Sequence, residues 1–172
     1  LLDSFSWGFS IAASTLVGQR LGAGDAADAE AYARAIVRLS ATVYLVAGTP
    51  VFALSGHVAG LFVDDPAVIG VAGPFVAAAA VSVVFLGVDG SATGTLRGAG
   101  DTRYPFLVSL FGRYACALPL AALGLVTPLG AAALLAAMVV ESAVPAALNV
   151  SRVRSNRWKA VGRAHVAASA GD

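Results

Sequence analysis

Residues 67–96 read AVIGVAGPFVAAAAVSVVFLGVDGSATGTL, thirty positions with one ionisable side chain, Asp89. A helix needs about 20 largely apolar residues to cross the hydrocarbon core of a bilayer. This stretch is longer than that, so it tilts or begins outside the bilayer near Pro74. Four further stretches have spanning length: Leu1–Leu21, Ala35–Leu54, Tyr104–Leu123 and Leu129–Val150. The first is the most polar, and its Asp3, Ser6, Ser10 and Ser14 recur in steps of three and four, on one helical stripe. Such a stripe faces protein or water, not lipid. The expected fold is all-α: a polytopic membrane bundle over residues 1–151, followed by a basic tail over 152–172.

Composition excludes the competing classes. Of 172 residues, 58% are hydrophobic and 12% charged, against about 45–50% and about 25% in a soluble domain. Such a chain cannot cover a globular surface in water, so its partner is the lipid bilayer. A net charge of +1 gives no basic face for nucleic acid. Cys116 is the only cysteine, and His57 and His165 stand far apart in a loop and the tail. No metal cluster or thiol nucleophile can be assembled from these, so no cofactor and no enzymatic activity is expected. Leu1 already lies in an apolar run, and the chain reads as cut from a longer one, its N-terminal half missing.

Orientation follows from arginine. Arg20, Arg34, Arg38, Arg97, Arg103, Arg152, Arg154, Arg157, Lys159 and Arg163 all fall on one side of a five-span zigzag; Arg113 is the eleventh basic residue. The positive-inside rule makes that side cytoplasmic, with the C-terminus inside a cell membrane and Asp64 and Asp65 outside. Phe52, Phe62, Phe75 and Trp158 lie near predicted span ends and are read as interfacial anchors. Tyr44 and Tyr114 fall within spans and are read as packing residues.

Gly-Ala-Gly-Asp occurs twice, at Gly22–Asp25 and Gly98–Asp101. No strand precedes either copy and no Gly-Lys-Ser/Thr follows, so a phosphate loop fails its context. Left-handed glycine caps suffice, with Asp25 or Asp28, and Asp101 or Thr102, capping the next helices. Pro105 suits the first turn of the fourth predicted helix. Pro50, Pro119 and Pro145 lie within spans and should bend them.

These segments carry a resemblance. The run Ala12–Gly24, with Gly18, Gln19 and Gly22, resembles the end of the second helix in each half of the multidrug and toxic compound extrusion (MATE) transporters. Leu96–Pro105, with Arg97, Gly98, Gly100, Asp101, Thr102 and Pro105, resembles that family's loop between the fourth and fifth helices of a half. The Arg157-Trp158-Lys159 tail is similar to the family's usual end. The resemblance implies helices eight to twelve of a twelve-helix fold, in an exporter of organic cations or other xenobiotics driven by Na⁺ or H⁺ entry. The motif residues themselves are read as structural, with Arg97 and Asp101 bridging the cytoplasmic hairpins. Two alternatives remain: a flippase for lipid-linked oligosaccharides from the same superfamily, and a membrane subunit that does not transport.

Three ionisable residues lie inside predicted spans: Asp89, Arg113 and Glu141. Charges there are costly and mark functional sites by default. Counted from the cytoplasmic arginines, they lie at depths of about 12, 15 and 16 Å at about 1.5 Å per residue. Two carboxylates then share one guanidinium that cannot deprotonate. The expectation is that Arg113 pairs with Glu141 and leaves Asp89, which shares a face with Ser82 and Thr93, to hold the coupling cation. The competing reading is a buried ion pair that locks the bundle.

Overall fold

A computed structural model describes the backbone of residues 2–162 and the side chains of residues 5–162. The side chains of Asp3 and Ser4, and the tail from Arg163 through His165 to Asp172, lie outside the described residues. The chain is helical, with no strand among the described residues. The helices are α1 (Leu2–Gly22), α2 (Ala26–Ala53), α3 (Ser55–Gly60), α4 (Pro66–Gly98), α5 (Arg103–Leu110), α6 (Leu118–Val126) and α7 (Ala131–Arg154). A π-helical segment, Phe111–Ala117, joins α5 to α6, so that Arg103–Val126 is one continuous rod.

Among the described residues, four helices are long and apolar enough to cross a membrane: α2, α4, the Arg103–Val126 rod and α7. The chain is therefore a multi-pass membrane bundle. The sequence reading counted five spans. Its first, Leu1–Leu21, is helical as α1 but does not join that set, because serines, Gln19 and Arg20 dilute its apolar surface. Helix α2 begins well before Ala35, since Asp25 caps it and accepts a hydrogen bond from the Asp28 N–H at 2.9 Å. The predicted loop from Ser55 to Pro66 contains the short helix α3, and His57 lies in it.

Helix α4 is the centre of the bundle, packed by α1, α2, α3 and α7. Its 33 residues reach about 50 Å at about 1.5 Å per residue, longer than a bilayer core is thick. Asp65 caps its first turn, Pro66 begins it, and Pro74 lies inside it. The close approach of α1 is written in small residues. Gly90, Gly94 and Gly98 stand one turn apart on α4, facing Ser6, Ser10 and Ser14 of α1. A Cβ on Gly94 would fall 2.2 Å from the Ser10 carbonyl oxygen, and one on Gly98 2.4 Å from that of Ser14. Interhelical contact in lipid rests on this kind of backbone approach, because burying apolar surface gains little there. The serine stripe predicted to face protein or water therefore faces α4, and Ser6 donates to the Leu86 carbonyl.

A second seam joins α4 to α2. Tyr44 is buried against Gly87, where a Cβ would meet the ring at 2.0 Å, and Ser40 is hydrogen-bonded to Ser91 at 2.9 Å. Tyr44 is thus a packing residue, as read, whereas Tyr114 is exposed.

Both Gly-Ala-Gly-Asp copies form the same cap. Gly24 and Gly100 take φ of +80° and +81°. The Asp25 N–H donates to the Arg20 carbonyl, and the Asp101 N–H to that of Leu96, each closing a six-residue helix end. The copies then diverge: Asp25 caps α2, whereas neither Asp101 nor Thr102 makes a side-chain cap on α5.

In the full-length protein, Gly94→Val should overpack the α1–α4 seam by at least the usual 1–3 kcal/mol or so. Detergent-solubilised protein should then be lost from the monodisperse peak in size-exclusion chromatography. Gly70→Ala, with nothing within 4 Å of the added carbon, should elute as wild type. Equal elution of both variants with wild type would overturn this packing.

Candidate functional site

The site forms where the Arg103–Val126 rod stands away from α4. The rod packs along α7 and scarcely touches α4, so the three helices enclose a cavity of about 390 Å³. Ser82 and Asp89 line it from α4, Arg113 from the π segment, and Met138, Glu141 and Ser142 from α7. The structure thus brings together the three ionisable residues that the sequence placed at one depth. Asp89 also borders a second crevice of about 170 Å³, on the α1 side, with Ser6, Ser10, Thr93 and Arg97.

Arg113 Nε donates to Glu141 at 2.9 Å, the pairing expected from the sequence. The pair is not buried, however. Within this chain its side chains are 67% and 45% accessible. The pair opens on the cavity. Asp89 has no ion pair among the described residues. Its Oδ1 accepts from Asn149 Nδ2 at 2.8 Å, and the same nitrogen donates to Thr93 Oγ1 at 3.1 Å. Ser82 turns to the same helix, donating to the Met138 carbonyl at 3.1 Å.

Sequence reasoning missed Asn149 and the π segment. Asn149 is the only asparagine within a predicted span, and that alone would have marked it. The π segment answers Pro119, whose missing N–H breaks the α-helical ladder. The Leu118 N–H reaches back five residues to the Arg113 carbonyl, and Gly112 gives room for Pro145 of α7. π turns collect at functional sites, and this one carries Arg113.

The motif residues lie elsewhere, at the arginine-rich end. Gly18 and Gly98 complete the α1–α4 seam, and Gly22 leads into the first cap. Gln19 precedes that cap, and its carbonyl accepts from the Ala23 N–H. Pro105 is buried in the first turn of α5. Asp101 bridges to α7: both Arg152 Nε and Nη2 lie 3.0 Å from its Oδ2, and the Arg152 guanidinium stacks over Tyr104. Arg97 makes no such bridge; it is exposed and borders the smaller crevice. Trp158 is not an interfacial anchor. It is fully buried among Val17, Leu21, Ala29, Leu96 and Val153, and its Nε1 donates to the Val153 carbonyl.

The MatE family profile matches residues 1–123, well over half of the chain. The chain belongs to the MatE family. Multidrug and toxin extrusion protein 1 of Homo sapiens is 32% identical over 155 residues, 88% of this chain and 27% of that protein. The probable multidrug resistance protein NorM of Pasteurella multocida is 35% identical over 151 residues, 84% of this chain and 32% of that protein. The chain thus spans about a third or less of the length of these relatives. No solved structure matches it. The Leu96–Pro105 motif falls within the matched region of the MatE family, and its residues here are caps, seams and one interhelical ion pair.

Ion pairs of different burial at the arginine-rich end should respond differently to removal of one partner. The Asp101–Arg152 side chains are 9% and 21% accessible, and stranding one charge of such a pair costs about 3–5 kcal/mol in soluble proteins. Asp101→Asn in the full-length protein should lower the melting temperature clearly, and Asp28→Asn, whose pair with Arg20 is about half exposed at the arginine-rich end, only slightly. Equal melting losses would contradict the difference in burial.

Proposed function

We propose that the longer protein to which this chain belongs exports xenobiotics, organic cations among them, in exchange for Na⁺ or H⁺ entering the cell. The names of the relatives, multidrug and toxin extrusion and multidrug resistance, support the substrate class. The observation that carries the reading is the charge of the cavity. Two carboxylates, Asp89 and Glu141, face one guanidinium, Arg113. Arg113 is paired with Glu141, which leaves Asp89 as the cavity carboxylate with no ion pair among the described residues. A cavity of net negative charge attracts cations, organic or inorganic, and favours cationic substrates over the anionic headgroups of a flippase.

Exchange then follows from competition. A small cation at Asp89 neutralises the cavity, and its departure restores the charge that draws an organic cation in. Secondary carriers move one repeat against another around a site near the midplane, so the second wall comes from the other half of the longer protein. The serine and threonine hydroxyls near Asp89 supply oxygens for a cation, whereas the apolar walls Val83, Leu86 and Met138 suit hydrocarbon parts of a substrate.

In the full-length transporter, Asp89→Asn should abolish ion-coupled efflux while leaving the amount of folded protein near normal, because it removes a charge with no ionic partner. Efflux assays in everted vesicles with an imposed Na⁺ or H⁺ gradient read this directly. Undiminished coupled efflux in Asp89→Asn would end the coupling role.

The arginine distribution supports a cytoplasmic C-terminus. In a cysteine-free full-length background, Asp64→Cys should react with an impermeant thiol reagent on intact cells, and Thr102→Cys only after permeabilisation. Labelling of both from one side would reverse or break this topology.

A further inference from the structure

The Arg113–Glu141 pair stands between two cavities. Besides the one that holds Asp89, a second of about 420 Å³ opens between the same three helices, and Arg113, Met138 and Glu141 line both. The chain directions place it. On α4 it takes Phe75, ahead of Ser82 and Asp89; on the rod it takes Ala117 and Leu118, past Ser109; on α7 it takes Leu134, ahead of Ser142. All three helices thus put it nearer the Asp64–Asp65 end, with the Asp89 cavity nearer the arginine-rich end. The two differ in chemistry. Three serines and Asp89 line the Asp89 cavity, whereas the second has no polar lining among the described residues except the pair itself. A carboxylate at the edge of an apolar space is costly to leave without a positive partner. Arg113 is the partner that Glu141 has here, donating at 2.9 Å, and its charge is permanent. A cation carried on an apolar body could supply the same charge and also fill the apolar space, which a guanidinium cannot do.

We propose that Arg113 is a tethered competitor of the substrate: it occupies Glu141 while the second cavity is empty, and yields it to an amphiphilic organic cation whose apolar body fills that cavity. Glu141 then stays paired throughout, because one positive charge replaces another. The released guanidinium still borders the Asp89 cavity, so it keeps a carboxylate within the same space. Phe75, Ala117, Leu118 and Leu134 supply the gain that tips the exchange, since their apolar surface favours a hydrocarbon body. A small hydrated cation gains nothing from those walls and leaves Arg113 in place. The pair thereby selects cations by their apolar body. The proposal rests on the export reading above for its substrate class, and adds a second acidic anchor with its own built-in competitor.

The test is equilibrium binding of tetraphenylphosphonium to the purified full-length protein, with tetramethylammonium as the cation that lacks an apolar body. Arg113→Gln removes the competitor and should tighten tetraphenylphosphonium by about tenfold, as expected for one charge in a partly desolvated site. Glu141→Gln removes the anchor and should weaken it by a similar factor. Arg113→Lys keeps a competing charge and should bind as wild type does. Leu134→Ser leaves the pair intact and should weaken tetraphenylphosphonium by about fivefold through lost apolar contact; it carries the test should a pair variant fail to fold. Tetramethylammonium should respond weakly to every one of these changes. Shifts of the same sign in Arg113→Gln and Glu141→Gln, or unchanged affinity in both, would overturn the competitor. Equal tightening of both cations in Arg113→Gln would overturn the selection by apolar body, since a bare field effect acts on any cation. Either result beside efflux of tetraphenylphosphonium by wild type would leave the export reading standing. Neither binding nor efflux of tetraphenylphosphonium by wild type would overturn both.

Discussion

The backbone of α4 has to be approached closely from two sides at once, and most of the architecture follows from that requirement. Gly90, Gly94 and Gly98 admit the backbone of α1, and Gly87 admits the ring of Tyr44 from α2. Within lipid, apolar side chains gain little by leaving one hydrocarbon surface for another, so dispersion at short range and interhelical hydrogen bonds hold helices together. Glycines permit the first and the serines supply the second, through Ser6 to Leu86 and Ser40 to Ser91. The α1 serines that read as a polar liability are therefore the complement of the α4 glycine ridge.

The arginine-rich end is held by different means. There the helices leave the lipid, and water makes apolar burial favourable again. Trp158 folds back after α7 and fills the space between Val17, Leu21, Ala29 and Leu96, which ties the end of the last helix to α1, α2 and α4. Around it stand ion pairs that cross long sequence distances: Arg152 with Asp101, and Lys159 with Glu30. The family motif Leu96–Pro105 belongs to this clamp. Its glycines close the α4 cap, its aspartate reaches α7, and none of its side chains lines the large cavity.

The sequence was most legible where single-residue chemistry decides the outcome. Four of the five predicted spans followed from apolar length, and the twin caps from Gly-Ala-Gly-Asp. The meeting of Asp89, Arg113 and Glu141 followed from counting residues to the membrane edge. What escaped depends on facing neighbours. The Gly90–Gly94–Gly98 ridge has no meaning until α1 lies in it. Trp158 reads as an interfacial anchor because tryptophan after a last span commonly is one, and only the backward turn of the tail buries it. The accessibility of Arg113 and Glu141 could not be read from depth alone, since depth gives height in the membrane but not which wall opens on a cavity. The π segment needed Pro119 and the Gly112–Pro145 contact together.

The position of Asp89 shows what such a bundle can move and what it cannot. Gly87 faces α2, Asp89 faces α7 and Gly90 faces α1, so three positions within one turn of α4 meet three different neighbours. Turning α4 to carry the carboxylate elsewhere would break both glycine seams at once, and packed helices do not slide continuously past such contacts. The opposite wall is built otherwise. The Arg103–Val126 rod leans on α7, scarcely meets α4, and is interrupted at Arg113 by the π segment. A rod whose hydrogen-bond register already departs from the α-helix at its centre can bend there at small cost. The carboxylate therefore stands on the helix held by both glycine seams, and the guanidinium on the rod that the π segment interrupts. Any change in the distance from Arg113 to Asp89 then alters the field at the carboxylate.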